Sequence, residues 1–193
     1  MGMPSNLDRD PRWVRLHAGD WVCGCCGDRH DGVFDLGSDR PAYWPRVAGS
    51  GSEGRAGDNY LNEDFCVVAG RRFFVRCVLY LPIIGASGAS FGLGVWSALS
   101  KPNFDLYVDT FEDDRQGELG PWSGSFANRL EGYPETLDLR CRVLPQDGGQ
   151  RPHIEVELAP HPLAIEQRKG ITFDRLLDIY AANGHDLRPA LSN

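Results

Sequence analysis

The sequence predicts a single α+β domain with an antiparallel sheet, helices packed on one side of that sheet, and a cysteine-rich zinc knuckle near the N-terminus. Strand-like segments come first in the chain, and helix-like segments are inserted between them or follow them. The regular alternation of strand and helix with glycine-rich phosphate loops, which marks a dinucleotide-binding domain, is absent from the sequence. The 193 residues, of which 41% are hydrophobic and 24% charged, are typical of one compact domain or of two very small ones, and the order of the elements favours one.

Composition divides the chain into a poorly ordered leader over residues 1–20, one domain over 21–182 and a tail over 183–193. The leader is polar, and we expect order there only where its hydrophobic side chains dock on the domain. Those side chains are Trp13, Val14 and Leu16. Within the domain, AGSGSEGRAG is the segment richest in glycine and serine, so we predict a flexible insertion or lid near residues 48–58.

Three strands are predicted in the first half of the domain. The runs FCVVAG and RRFFVRCVLYLP are rich in β-branched and aromatic residues, and they meet at a tight connection over Ala69, Gly70 and Arg71. This pattern is typical of a hairpin. The run FGLGVWSALS supplies the third strand, and its two glycines, Gly92 and Gly94, either make room for a ligand or permit close packing.

A helix is predicted from Lys101, because Ser100 can cap it and Pro102 is tolerated in a first turn. Its apolar face has helical spacing and consists of Phe104, Tyr107, Val108 and Phe111.

Two half-buried strands follow, over the alternating segments around Cys141 and around Val156. One register places opposite charges face to face, Arg140 against Glu157 and Arg142 against Glu155. The same register matches the apolar residues of the two strands, so both faces favour it.

Two helices close the domain. The segment HPLAIEQRKG predicts a short helix entered at His161 and Pro162, and we interpret His161 as the entry residue rather than as a proton-transfer partner of Glu166. Thr172 can cap a last helix that ends near Gly184. The apolar stripe of that helix consists of Phe173, Leu176, Leu177 and Tyr180.

Charge and hydropathy exclude two classes of partner. With 20 basic and 27 acidic residues, the chain has a net charge of −7 and a pI of about 5.2, the wrong sign for binding nucleic acid through its phosphates. No apolar run approaches the roughly 20 residues of a membrane-spanning helix, and the N-terminal segment lacks the hydrophobic stretch of a signal peptide. We therefore expect a cytoplasmic protein with reduced cysteines, available for metal binding or burial.

A metal knuckle is the strongest chemical signal. Cys23 and Cys26, followed by Gly27, have the Cys-x-x-Cys-Gly spacing with which two thiolates bind one zinc ion around a tight turn. His30 lies at a suitable distance for a third ligand. A second Cys-x-x-Cys pair is absent, so a fourth ligand must come from elsewhere in the chain.

Cys66 is the first choice for that remaining ligand, ahead of Cys77 and Cys141, which the pattern places inside strands. Four protein ligands would make the zinc structural, whereas three would leave a position at which water could be activated. Reduced structural cysteines without metal, or a redox-active thiol pair, are the alternatives, and Cys25 adds a third sulfur to the knuckle.

Three residues are candidates for a ligand- or partner-binding groove. Arg76 lies on an otherwise apolar strand face, where its charge needs an ion-pair partner or an anionic ligand, and Trp96 and Trp122 are the aromatic candidates. The leading hypothesis is a non-enzymatic module that binds a protein partner or a small ligand. The alternatives are a metal-assisted hydrolase with an open zinc position and a thiol-based redox protein at Cys25. Catalytic residues are not identified, because no hydrolase, zincin or phosphate-loop motif occurs in the sequence.

The order of several motifs resembles an uncharacterised bacterial family, domain of unknown function 2199, over about residues 21–182. The motifs are, in order, WVCGCCGDRH, FCVV, RRFFVRCVLYLPI, FGLGVWSALS, GPWSGSFANRLEGYPETLDLR, GQRPHIEVEL and HPLAIEQRKGIT. The resemblance implies no established activity and therefore no catalytic residues. It does imply that Cys23, Cys26 and Cys66 occupy the cysteine positions of the family, while Cys25 and the Gly/Ser-rich insertion are departures from it.

Overall fold

The structure, a computed structural model, describes residues 7–45, 54–112, 115–157 and 160–192. These residues form one mixed sheet. Its strands are β1 (Leu36–Gly37), β2 (Gly54–Ala56), β3 (Asn59–Leu61), β4 (Phe65–Val68), β5 (Arg72–Pro82), β6 (Ser90–Leu99), β7 (Trp122–Phe126), β8 (Arg140–Leu144) and β9 (His153–Val156). The strand order is β1-β6-β7-β8-β9-β5-β4-β3-β2, and an additional pairing of β5 with β6 closes β5 to β9 into a five-stranded barrel.

The predicted antiparallel sheet is wrong in one respect, because two strand pairs are parallel. From β5 to β9 each strand runs antiparallel to the one before it. Five strands that alternate in direction cannot close a ring without one parallel pair, and here that pair is β5 with β9, at Val78 and His153. The second parallel pair joins β1 to β6 at the outer edge of the barrel.

The predicted hairpin is confirmed. β4 and β5 are antiparallel, from Phe65 opposite Val75 to Val68 opposite Arg72. Both Ala69 (φ 53°) and Gly70 (φ 61°) adopt the left-handed conformation in the connection. The run FGLGVWSALS forms the predicted third strand, β6, which pairs with β5 over its whole length.

The predicted register of the next two strands is also confirmed. β8 and β9 pair with Arg142 opposite Glu155 and with Cys141 opposite Val156. The Arg142–Glu155 ion pair measures 3.5 Å, and Arg140 lies 3.8 Å from Glu157. Both pairs are solvent-exposed, so they specify the register more than they stabilise the fold.

The described residues form five α-helices. They are α1 (Pro11–Leu16), α2 (Lys101–Asp109), α3 (Pro162–Lys169), α4 (Phe173–Ala182) and α5 (Arg188–Leu191). The predicted caps are confirmed: Ser100, His161 and Thr172 each accept a backbone N–H of their own helix. The α+β assignment therefore holds, with α3 packed on β5 and β9, and α2 packed on β5.

Parts of the predicted leader, tail and insertion are ordered elements. In the leader, Trp13 and Leu16 of α1 are buried, while Val14 is 55% exposed. The tail contains α5, whose Leu191 is buried. Residues 48–53 of the predicted insertion lie outside the described residues, and the three that follow form β2, paired with β3. The division into leader, domain and tail stays a prediction.

Two hydrophobic clusters lie on opposite faces of the central strands. The main core joins inward-facing residues such as Val75 of β5 and Val95 of β6 to the apolar sides of α3 and α4. Because side chains alternate along a strand, Phe74 and Trp96 face the other way, into a smaller cluster covered by Trp44.

The glycines of β6 serve close packing. Asp35, just before β1, accepts a hydrogen bond from the Gly92 N–H (2.8 Å), and a Cβ on Gly92 would lie 2.5 Å from its carboxylate. A Cβ on Gly94 would lie 3.3 Å from the Cα of Gly37. The space beside these glycines is therefore filled by the protein itself.

Gly92→Ala should destabilise the fold, because the new methyl group would displace Asp35. We expect a loss of about 1–3 kcal/mol in the free energy of unfolding, measured by urea denaturation. The control is a double-mutant cycle with Asp35→Ala, in which removal of the carboxylate should recover part of that loss. Strictly additive effects of the two substitutions would contradict this account of the glycine.

Candidate metal centre

Cys23, Cys26 and His30 form a compact group near the N-terminus. Their ligand atoms all lie within 4.8 Å of one another, and the Cys26 Sγ is 3.4 Å from the His30 Nε2. Zn–S bonds of about 2.3 Å and Zn–N bonds of about 2.0 Å place tetrahedral ligand atoms about 3.6 Å apart, so the observed spacing suits a metal ion. The three predicted knuckle ligands therefore meet, and they can hold a metal ion.

A tight backbone turn produces this arrangement. The Gly27 N–H donates to the Cys23 carbonyl (2.9 Å), and the Cys23 N–H donates to the Asp28 carbonyl (2.8 Å). Gly27 has a φ of 77°, a conformation that residues with a side chain rarely adopt, as the Cys-x-x-Cys-Gly motif predicts. An isolated bridge between Val22 and Arg29 closes the turn, so the residues on either side of it reach the same point.

A column of aromatic rings attaches the knuckle to α4. The His30 ring stacks on Phe34 at 3.9 Å between centroids, and Phe34 stacks on Tyr180 at 4.4 Å. The Tyr180 hydroxyl donates to the Phe34 carbonyl (2.6 Å) and accepts from the Phe34 N–H (3.0 Å). On the opposite side of Tyr180, its ring meets Phe91 of β6 edge to face. The position of His30 is thus set by the barrel through Tyr180.

The three sulfurs of the knuckle differ in acidity. Burial of the Cys23 thiol opposes its ionisation, but a hydrogen bond with His185 and the backbone N–H groups of Cys26 and Cys25 outweigh burial and lower the pKa of Cys23 to about 7. Desolvation and the neighbouring Cys23 sulfur raise the pKa of Cys25. For Cys26, the backbone at Asp28 favours the thiolate, yet desolvation and Cys23 still raise its pKa. Cys23 is thus the most acidic of the three thiols, and a bound cation would stabilise a second thiolate beside it.

The prediction that Cys66 joins this group is wrong. Cys66 lies in β4 opposite Phe74 and is fully buried in the smaller hydrophobic cluster, and burial raises the pKa of its thiol to about 12. The other two strand cysteines, Cys77 and Cys141, are buried in the main core as expected. Alternating hydrophobicity places Cys66 in a strand, but it does not reveal which face of the sheet that strand presents to the knuckle.

The three predicted groove residues do not form one binding surface. Trp96 is 0% exposed, and its indole N–H donates to the Ser38 carbonyl (2.9 Å), so its assignment to a surface groove is wrong. Trp122 is half-buried and packs edge to face with Tyr107 against the main core. The two tryptophans therefore belong to different hydrophobic clusters.

Arg76 lies opposite Trp96 in the β5–β6 pair and is half-buried. Its guanidinium donates to the Glu63 carbonyl at 3.4 Å, and its buried Nε has no hydrogen-bond partner. Burial and the nearby Arg151 lower the pKa of Arg76. Among the described residues the Arg76 guanidinium therefore contacts a backbone carbonyl, and the predicted ion-pair partner is not present beside it, while the anionic ligand stays a prediction.

A groove that sequence reasoning missed opens where β5 and β9 diverge. The two strands pair at Val78 and His153, and beyond that point Gln167 of α3 takes the place of a neighbouring strand. Its side chain accepts from the Val156 N–H (2.9 Å) and donates to the Ile154 carbonyl (2.7 Å). The resulting cavity measures about 760 Å³. No local sequence pattern predicts this groove, because its lining residues come together only when the barrel closes.

Aromatic and charged side chains line this groove. Tyr80 and His153 meet edge to face at 5.0 Å. Arg142, Glu155 and Arg168 add both signs of charge to the lining. The groove is open to solvent, and its volume is within the range of small-molecule sites.

Comparison with known proteins places the knuckle inside a conserved bacterial family. A family model described as "Uncharacterized protein conserved in bacteria (DUF2199)" matches residues 22–171. The chain belongs to this family. No curated protein and no solved structure matches the chain. The DUF2199 match includes all three residues of the metal group and ends before His185.

None of the helices in the described part of the chain has the length and hydrophobicity required to span a bilayer.

Alkylation should separate the exposed from the buried thiols. In the reduced, folded, metal-free protein, iodoacetamide should modify the exposed Cys25 and Cys26 and leave Cys66, Cys77 and Cys141 unmodified until the chain is denatured. Burial raises the pKa of the Cys66 thiol to about 12, so little of the reactive thiolate forms at neutral pH. Peptide mass spectrometry over time measures each site. Modification of Cys66 as fast as that of Cys25 would contradict the described burial.

Proposed function

We propose that the protein is a non-enzymatic binding module whose knuckle is held by a structural zinc ion at Cys23, Cys26 and His30. The observation that carries this proposal is the approach of two sulfurs and one imidazole nitrogen to within 4.8 Å. Thiolate and imidazole together favour zinc among the common divalent metals of proteins. The six cysteines are free, which supports the related proposal of a cytoplasmic protein.

The surroundings of the group support a structural role for the metal. Apart from the turn at Gly27 and the bridge between Val22 and Arg29, side-chain contacts attach the knuckle to the domain. A metal bound at this point would supply directional bonds where regular secondary structure is sparse. The groove between β5 and β9 has no knuckle residue in its described lining, so the groove and the metal group are separate features.

For the binding role we propose that a small ligand occupies the groove between β5, β9 and α3. Its volume of about 760 Å³ and its aromatic, histidine and charged lining support this choice over Arg76, Trp96 and Trp122. The net charge of −7 supports the further proposal that neither nucleic acid nor an anionic membrane is a partner. A protein partner is the alternative occupant of this surface.

Metal analysis tests the zinc proposal. Protein purified under reducing conditions should contain close to one zinc per chain. At free zinc a hundredfold above the Kd, binding adds about 2.7 kcal/mol to the free energy of unfolding. For a chain of this length that corresponds to a Tm about 5–10 °C higher than in the presence of chelator. Cys26→Ser should lower the zinc affinity at least tenfold, because it removes a ligand.

Cys66→Ala is the matched control, since it removes a cysteine that the structure places in the hydrophobic cluster away from the metal group. Its zinc content should equal that of the wild type. Metal-free wild-type protein in fresh, reduced preparations would overturn the zinc proposal, and loss of zinc from Cys66→Ala would overturn the assignment of ligands. A bound zinc with an exchangeable water and ester hydrolysis that requires it would favour the hydrolase alternative.

Fragment binding tests the groove. Small aromatic carboxylates and amines titrated into ¹⁵N-labelled protein should shift NMR signals around Tyr80 and His153, because these rings offer stacking surface beside charges of both signs. His153→Ala should weaken the binding severalfold, and Arg76→Gln should leave it unchanged. Shifts that cluster at Arg76, or an absence of binding by every fragment, would overturn the proposed location.

A further inference from the structure

The segment after α4 returns to the knuckle. Gly184 adopts a φ of 85°, and the His185 N–H donates to the Tyr180 carbonyl (2.8 Å), so the chain turns back at the end of α4. This turn places the His185 Nδ1 4.0 Å from the Cys23 Sγ. The next residue, Asp186, has its carbonyl 4.0 Å from the Cys25 Sγ. Two consecutive residues of the C-terminal segment therefore contact the cysteine-rich turn.

The distances between sulfur and nitrogen fit a shared metal ion. Each ligand sulfur of the knuckle has one imidazole beside it, Cys26 with His30 at 3.4 Å and Cys23 with His185 at 4.0 Å. The two distances bracket the value of about 3.6 Å that tetrahedral zinc requires between sulfur and nitrogen ligands. His185 lies outside the group whose ligand atoms are all within 4.8 Å, so its ring must move towards Cys26 and His30 to close the shell.

Phe34 orients both imidazoles. One face of its ring stacks on His30 at 3.9 Å, and His185 meets the same ring edge to face at 5.6 Å. Phe34 is itself fixed by two hydrogen bonds between its backbone and the Tyr180 hydroxyl. A ring held in this way positions a ligand before the metal arrives, as the surroundings of metal-binding histidines commonly do.

Charge favours His185 over Cys25 as the fourth ligand. Two thiolates and two neutral imidazoles balance the charge of Zn²⁺, whereas a third thiolate would leave a net negative site. Cys25 is exposed, and its Sγ contacts the Asp186 carbonyl, while the His185 nitrogen is directed at the Cys23 sulfur. These contacts favour the His185 imidazole as a ligand and place the Cys25 sulfur at the edge of the cluster.

We propose that His185 is the fourth zinc ligand, which closes a Cys23–Cys26–His30–His185 site and joins the knuckle to the segment after α4. This inference rests on the proposed zinc site and adds its coordination shell. Four protein ligands leave no position for an activated water, so the closed site is structural. The ordering of the chain from Gly184 to α5 then depends on the metal.

Zinc affinity and coordination in the full-length protein test this proposal. Zn²⁺ is titrated against a competing chelator, and X-ray absorption reports the ligand shell, with two sulfurs and two nitrogens expected in the wild type. His185→Ala should lower the zinc affinity at least tenfold and replace one nitrogen with oxygen from water. Cys25→Ser, the matched control, should leave both the affinity and the shell unchanged.

A second variant guards against a folding defect in His185→Ala. His185→Cys supplies a different ligand at the same place and should restore zinc binding with a shell of three sulfurs and one nitrogen. Hydrogen exchange adds a readout independent of affinity: zinc should protect the backbone amides from Gly184 to Leu191 in the wild type and not in His185→Ala.

The outcomes separate the two proposals. Wild-type protein that binds no zinc overturns the metal site as a whole. If Cys26→Ser loses zinc while His185→Ala binds it with full affinity, the zinc site stands and only the role of His185 is overturned. A sulfur missing from the shell of Cys25→Ser would assign the fourth position to Cys25 instead.

Discussion

The closure of an odd number of strands is the constraint on which the rest of the structure depends. Because β5 to β9 alternate in direction, the ring can close only through a parallel contact between β5 and β9. That contact extends over one residue pair only. Beyond it, the Gln167 side chain of α3 forms hydrogen bonds with the backbone of β9. The groove is therefore a consequence of topology, since it occupies the space that a longer strand pair would fill. Its lining comes from segments distant in sequence that only the closed barrel brings together.

Closure also fixes the surface on which the knuckle rests. Phe91 of β6 contacts Tyr180, and Tyr180 binds the backbone of Phe34 through its hydroxyl. Asp35 follows Phe34 in the chain, and its carboxylate accepts a hydrogen bond from the Gly92 N–H. β6 therefore holds the segment after the knuckle at two neighbouring points, through Phe91 and through Gly92. Two glycines in β6 are needed for this approach because a side chain there would collide with the arriving segment. The barrel thus determines where His30 lies before any metal is considered.

Sequence reasoning reached the local features and missed those that depend on how distant segments meet. The pairing of Arg142 with Glu155 followed from alternation and charge alone, and the helix caps followed from residue type and spacing, because these interactions join neighbours in sequence or across one turn. The knuckle ligands were likewise within reach of one short motif. The burial of Trp96 and the position of Cys66 depend on which face of a strand is covered by other parts of the chain. The approach of His185 depends on where α4 ends relative to the knuckle. Neither can be inferred from the local pattern of a single sequence.

The remaining question is why the knuckle would need a metal when the aromatic column already places it. Stacked rings exclude water and set an approximate position, but they are only weakly directional. They hold His30 beside the turn that brings Cys23 and Cys26 together, but they form no bonds among these three side chains. Two thiolates at such a distance repel each other. A divalent cation bound there would convert that repulsion into bonds with defined angles. If His185 contributes the last bond, the ion also joins the beginning of the family domain to the segment that follows α4, a connection that the barrel strands themselves do not make.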